Sequence, residues 1–198
     1  MVRFMTFLTD FADQAVILPV LVTVALVLAA QGRRRSGLLW IFVVGATFGT
    51  VLAAKIGFLA CAPVFGPWDM RGPSGHTAAA AVVAGGLIAL LTRRQDLPMA
   101  AAALAGVVIG LSRVVLGFHS VPEVILGFCL GLAGAAALTR FAGPMPRRRP
   151  VFLLVAVSAV AIVAHGARLP AEAAIWQASL GVLDFVPACR SGQSANPP

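Results

Sequence analysis

The chain is 198 residues long, 60% apolar and 11% charged, with a mean hydropathy of +0.95. Soluble domains run nearer ~45–50% apolar and ~25% charged, so a water-soluble fold is excluded and an all-α polytopic membrane protein is expected. The net charge of +8 does not point to nucleic acid, because the basic residues gather in short loops between apolar runs, as membrane topology requires.

In chain order, six apolar segments are expected to span the bilayer as one compact bundle: Ala15–Ala30, Leu38–Ala60, Thr77–Leu91, Met99–Leu116, Val124–Leu138 and Val151–Ala164. Several fall short of the ~20 residues of an upright span, so flanking residues must extend them or the bilayer must thin locally. Alanine and glycine crowd the third, fourth and fifth segments, which suits close helix approach. The Gly127-x-x-x-Gly131 pair is read as packing within the chain. The acids Asp10 and Asp13 stand where a signal peptide would carry its basic and apolar regions, so none is expected.

Loop charge sets the orientation. Arg33–Arg35, Arg93–Arg94, Arg140 and Arg147–Arg149 supply nine of the fifteen basic residues, all in alternate loops. The positive-inside rule puts these loops in the cytoplasm, and both termini on the extracytoplasmic face of a bacterial-type inner membrane. Residues 1–165 are expected to form the membrane domain and 166–198 an outer-face tail. Within that tail, Ala171–Val186 is expected to lie on the surface, with Ile175, Trp176, Leu180 and Leu183 on its apolar side. Cys129 is expected to be a packing residue, and a Cys61–Cys189 disulfide is compatible with the topology. No segment signals an oligomeric state.

Two short strings carry the chemistry, and both fall on the outer side. Pro73-Ser74-Gly75-His76 opens the alanine-rich third segment. Free N–H groups at a helix start favour an anion, Gly75 permits close backbone approach, Ser74 adds a hydroxyl and His76 a titratable proton. The same string also reads as an ordinary helix start with an interfacial histidine. Ser112-Arg113 ends the fourth segment, and His119 follows before Pro122-Glu123. Arg113 offers a fork suited to phosphate oxygens, or it snorkels to the surface. Glu123 is placed to fix the tautomer of His119, and Ser120-x-x-Glu123 is equally a capping box. Lys55 ends the second segment on the same side. Phosphoryl chemistry on a lipid headgroup fits this set.

With these residues in view, the chain resembles the type 2 phosphatidic acid phosphatase superfamily in its membrane branch. That family's signature is Lys-x6-Arg-Pro, Pro-Ser-Gly-His and Ser-Arg-x5-His-x3-Asp. Pro73–His76 matches the second element, and Ser112, Arg113 and His119 match the third with Glu123 in place of Asp. The first survives in part as Lys55, Ala62 and Pro63. The resemblance implies His119 as nucleophile, Glu123 as its orienting acid and His76 as proton donor to the leaving oxygen. It also implies that Lys55, Ser74, Gly75 and Arg113 hold the phosphate, without metal or other cofactor. Arg71 is placed to replace the arginine lost at Ala62, or is a solvated loop charge that pairs with Asp69. The implied substrates are membrane lipid phosphates or diphosphates, such as undecaprenyl diphosphate, phosphatidic acid or phosphatidylglycerol phosphate. Lipid phosphotransfer and phospholipid binding without cleavage are the alternatives.

Overall fold

The computed structural model describes residues 1–61, 70–144 and 150–183, and the described chain is all-helical. Its helices are α1 (Val2–Asp10), α2 (Gln14–Ala30), α3 (Arg34–Ala60), α4 (Gly75–Leu91), α5 (Asp96–Val115), α6 (Val121–Phe141), α7 (Pro150–Ala164) and α8 (Ala171–Leu183). Helices α2 to α7 coincide with the six expected apolar segments, each lengthened by flanking residues. The continuous run Val2–Ala30 and helices α3, α5 and α6 are long and apolar enough to cross a membrane. Helices α4 and α7 are apolar but only 17 and 15 residues long. Helix α1 was not expected from the sequence.

Helix α4 is the centre of the bundle. It packs chiefly against α5 and α6 and also against α3, while α2 lies between α3 and α7. Its small residues make this possible. A Cβ added at Gly131 would meet the Ala78 carbonyl oxygen at 2.6 Å, and one at Gly134 would meet Thr47 Oγ1 at 2.6 Å. Gly86 leaves room for the ring of Trp40, 2.6 Å from where its Cβ would stand. Trp40 is fully buried and satisfies its indole N–H on the Leu21 carbonyl at 3.2 Å. Between lipid-soluble helices such close contact supplies the packing attraction that water would otherwise drive.

The outer surface fits that solvent. Phe42, Leu104, Val151 and Ile162 are all at least two-thirds exposed, and an apolar exterior of this extent is costly in water. Cys129, expected inside the packing, is instead exposed on α6. The Cys61–Cys189 pairing involves Cys189, which lies outside the described residues, as do Ala62, Pro63 and Asp69.

Two ends of the bundle are distinct. At one, Arg33 donates to the carbonyl oxygens of Ala142 and Gly143 at 3.0 and 2.9 Å, and Ser36 to that of Ala142 at 2.9 Å. The turn before α3 thus meets the end of α6 on one face. At the other end α3 stops, α4 starts, α5 stops and α6 starts, which gathers the chemically suggestive residues. Glycine 127 sits there with its Cα against the Ser74 carbonyl, whose oxygen an added Cβ would approach to 2.3 Å. Backbone cannot yield as a side chain can, so Gly127→Ala is expected to destabilise the fold by about 1–3 kcal/mol. Gly45→Ala, with nothing near its Cβ position, is expected to be neutral or stabilising by up to ~1 kcal/mol. Thermal unfolding of both variants in detergent checks the contrast.

Candidate functional site

Helix α5 ends in a tight reversal that creates the spacing between Arg113 and His119. Gly117 takes the left-handed conformation at φ 71°, its N–H bonds to the Val114 carbonyl, and the Phe118 N–H reaches back to the Arg113 carbonyl at 3.0 Å. This is a glycine-terminated helix cap of the Schellman type. It folds Phe118 back over its own helix, so that the Arg113 guanidinium lies 4.3 Å from the ring centroid. His119 then emerges between the two helices. Arg113 is 8% exposed, and its Nε has no hydrogen-bond partner among the described residues.

Helix α6 opens with Glu123, whose carboxylate makes three contacts. One oxygen accepts from the Ser120 N–H at 2.8 Å and contacts His119 Nδ1 at 3.0 Å. The other accepts from the Arg71 N–H at 2.6 Å. The capping box and the histidine contact therefore coexist. An ionised carboxylate accepts, so Nδ1 carries the proton and the lone pair is left on Nε2. His119 is almost fully buried. Burial first, then the nearby charge of Lys55, hold its pKa below the ordinary histidine value, with the Glu123 contact opposing them.

Helix α4 opens with Ser74 as its N-cap, fully buried, its hydroxyl oxygen accepting from Thr77 Oγ1 at 2.9 Å. The Ser74 N–H bonds to the Glu123 carbonyl at 2.9 Å, so the starts of α4 and α6 are joined. Gly75 is buried on the first turn, beside Gln14 and Val51. Gly72, at φ 106°, lays the preceding loop on Lys55, whose Cα would lie 2.8 Å from an added Cβ. His76 lies near enough to Lys55, Arg113 and His119 to feel their charges.

Lys55, Ser74, Gly75, His76, Arg113, His119 and Glu123 therefore meet at one end of the bundle. Arg71 differs. Its main chain holds Glu123, while the residue is exposed and does not line the polar cavity at this end of the bundle.

Other residues at this end were not singled out by the sequence reading. A cavity of about 290 Å³ is bordered by His76, Arg113, Phe118, Asp13, Arg168 and Glu172. Asp13 caps α2 through the Ala15 N–H, accepts from the Leu169 N–H at 3.3 Å, and lies 3.5 Å from His76 Nε2. Asp10 pairs with Arg168 through two bonds of 3.1 and 3.2 Å. Glu172, on the first turn of α8, pairs with the buried ammonium of Lys55. Asp13 was legible as a helix cap, since an apolar run follows it. No spacing in the chain signals that Glu172 meets Lys55. His165 contacts the Phe7 carbonyl at 3.0 Å and lies tilted against the rings of Phe7 and Phe11.

Residues 54–147 match the PAP2 superfamily. The segment contains both α4 and α6 and every motif residue from Lys55 to Glu123. An uncharacterized 22.5 kDa protein in the cps region of Klebsiella pneumoniae is 34% identical over 134 residues, 64% of this chain and 63% of that protein. The chain thus spans less than two thirds of that relative's length. No solved structure matches it.

The His119 environment makes a testable statement about charge. Lys55→Met removes a positive neighbour and is expected to raise the His119 pKa toward the ordinary value of about 6.5. Glu123→Gln removes the favourable carboxylate and is expected to lower it further. Histidine ring-proton NMR titrations of both variants, assigned with His76→Gln and His165→Gln, read the two opposite shifts.

Proposed function

We propose that this chain is an integral-membrane phosphatase of lipid phosphates or diphosphates that works through a phosphohistidine. The observation that carries the reading is the buried His119–Glu123 pair beside an Arg113 guanidinium whose Nε lacks a partner. A histidine with Nδ1 tied down presents Nε2 as a nucleophile, and a buried arginine with donors to spare suits phosphate oxygens.

In this reading His119 Nε2 attacks phosphorus while the bond from phosphorus to the lipid oxygen breaks. His76 gives that oxygen its proton. Water then attacks the phosphohistidine, the N–P bond breaks, and the water's proton passes to His76. Lys55, Arg113, the Ser74 hydroxyl and the N–H of Gly75 hold the equatorial oxygens, and stabilisation comes from donors fixed before the reaction. No metal takes part in these steps. The Arg71 guanidinium is assigned a weaker part, since the Arg71 backbone already positions Glu123.

A lipid substrate suits an apolar exterior with a polar cavity at one end of the bundle, because the headgroup can enter while its chain stays in hydrocarbon. In this reading α2 to α7 cross the membrane six times, and the cavity, opposite the basic loops, is extracytoplasmic. Residues 1–165 form the membrane domain in this reading, and 166–198 an outer-face extension. The Lys55–Glu172 pair favours one second reading. If that carboxylate does not yield, the chain binds phospholipid without cleaving it.

Phosphate release from a panel of lipid phosphates and diphosphates, with chelator present, tests both readings. His119→Ala is expected to lower release by about a thousandfold or more. Arg113→Lys is expected to cost about ten- to a hundredfold in kcat/KM, since a point charge cannot replace the planar fork. Glu172→Gln is expected to lower KM by freeing Lys55. Lipid binding with no release in the wild-type protein, together with release gained in Glu172→Gln, would establish the second reading.

A further inference from the structure

A second cavity, of about 440 Å³, runs between α3 and α8. Its walls are apolar: Phe48, Gly49 and Leu52 on one side, Ala174, Ile175 and Ala178 on the other. This volume lies within the ~300–1,000 Å³ typical of ligand sites. The wall on α3 extends from Phe48 to Ile56, a length of about 12 Å at the helical rise.

Three features specify its occupant. First, the groove is polar at one end only, where Lys55, Gln14 and Gly75 line it. Second, Gln14 and Ala171 border both this groove and the polar cavity, so the two are continuous. Third, the groove opens sideways. Gly49 and Leu52 are exposed on a bundle whose outer surface is suited to lipid, and a Cβ at Gly49 would meet nothing within 4 Å. A cation at the head of an open apolar channel matches an amphiphile with an anionic head and a hydrocarbon chain.

We propose that the α3–α8 groove is the subsite for the hydrocarbon chain of the substrate, with α8 forming its outer wall. The headgroup chemistry named here rests on the phosphatase reading, whereas the chain subsite rests on the groove itself. Helix α8 then acts at both ends of the ligand. Its Ala174, Ile175 and Ala178 face the chain, and its Glu172 occupies the ammonium that the head must reach. Small residues on both walls leave the width that an alkyl chain needs, and bulk added to either wall narrows the same channel.

A long-chain alkyl monophosphate carrying a mid-chain diazirine is the probe, with the full chain in phosphatidylcholine nanodiscs and labelled residues mapped by mass spectrometry. Labels are expected to concentrate on residues 48–56 and 171–178. Gly49→Leu and Ala174→Trp, on opposite walls, are each expected to cut that labelling at least about fivefold. Leu104→Trp, on the exposed face of α5, is expected to leave it unchanged. Labels spread evenly over the exposed helices, or unaffected by both groove substitutions, would overturn the subsite. Because Gly49 faces open space, retained folding of Gly49→Leu keeps the test decisive even if Ala174→Trp dislodges α8. Phosphate release from the same probe is scored separately. Groove labelling without His119-dependent release would defeat the phosphatase reading alone, and release without groove labelling would defeat the subsite alone.

Discussion

The site depends on the carboxylate of Glu123. It caps α6 through Ser120, fixes Nδ1 of His119 and anchors the loop before α4 through the Arg71 N–H. The main-chain oxygen of the same residue receives the Ser74 N–H. One residue thereby joins two helix starts and a buried histidine that lie apart in sequence. A carboxylate has about four acceptor positions, and these three side-chain contacts use most of them. Each is a bond from a charged acceptor, stronger than a neutral one and costly to leave unmade in an apolar surrounding. The family signature has the shorter aspartate at this position. The extra methylene of glutamate is accommodated here by a capping geometry that also reaches the Arg71 loop.

That junction requires α4 and α6 to approach closely, and glycine makes this possible. Gly127 touches the Ser74 backbone, and Gly131 touches Ala78 and Ala81 one turn further along. The same contacts that hold the bundle together thus set the distance between Ser74 and Glu123. Packing and site geometry are one constraint, which is why a methyl group at position 127 would act on both.

The apolar helices and the motif residues were legible because each rests on a local signal. Apolar runs mark α2 to α7, and basic loops mark one face. The glycine spacing anticipated contact within the chain, and Ser120-x-x-Glu123 read correctly as a capping box. What escaped is what depends on pairing between distant segments. Helix α1 carries polar residues and resembles no span by itself. Cys129 lies within an apolar run, but such a run does not say which side faces lipid. For Arg71 the sequence suggested a guanidinium contact, whereas the bond observed comes from its N–H, which every residue but proline possesses. Glu172 meets Lys55 across more than a hundred residues, and its neighbours on α8 are mostly alanines.

The charge pattern around the cavity assigns the acids different degrees of freedom. Asp13 is held by two backbone donors, Asp10 by the two-bonded Arg168, and Glu123 by its three contacts. Glu172 is held by Lys55 alone among the bonds described, and its side chain is 63% exposed. In the proposed reading an anion approaching Lys55 meets one carboxylate whose own side chain reaches solvent, and the anion takes its place beside the buried ammonium. The remaining acids stay to keep His76, His119 and Arg168 in place. Lys55 is the opposite case, nearly fully buried, so its ammonium must always keep a counter-ion. In the proposed reading, a cationic site kept ready for phosphate in an apolar bundle must be neutralised between ligands. Helix α8 does so with its first turn while its next turns face the apolar groove.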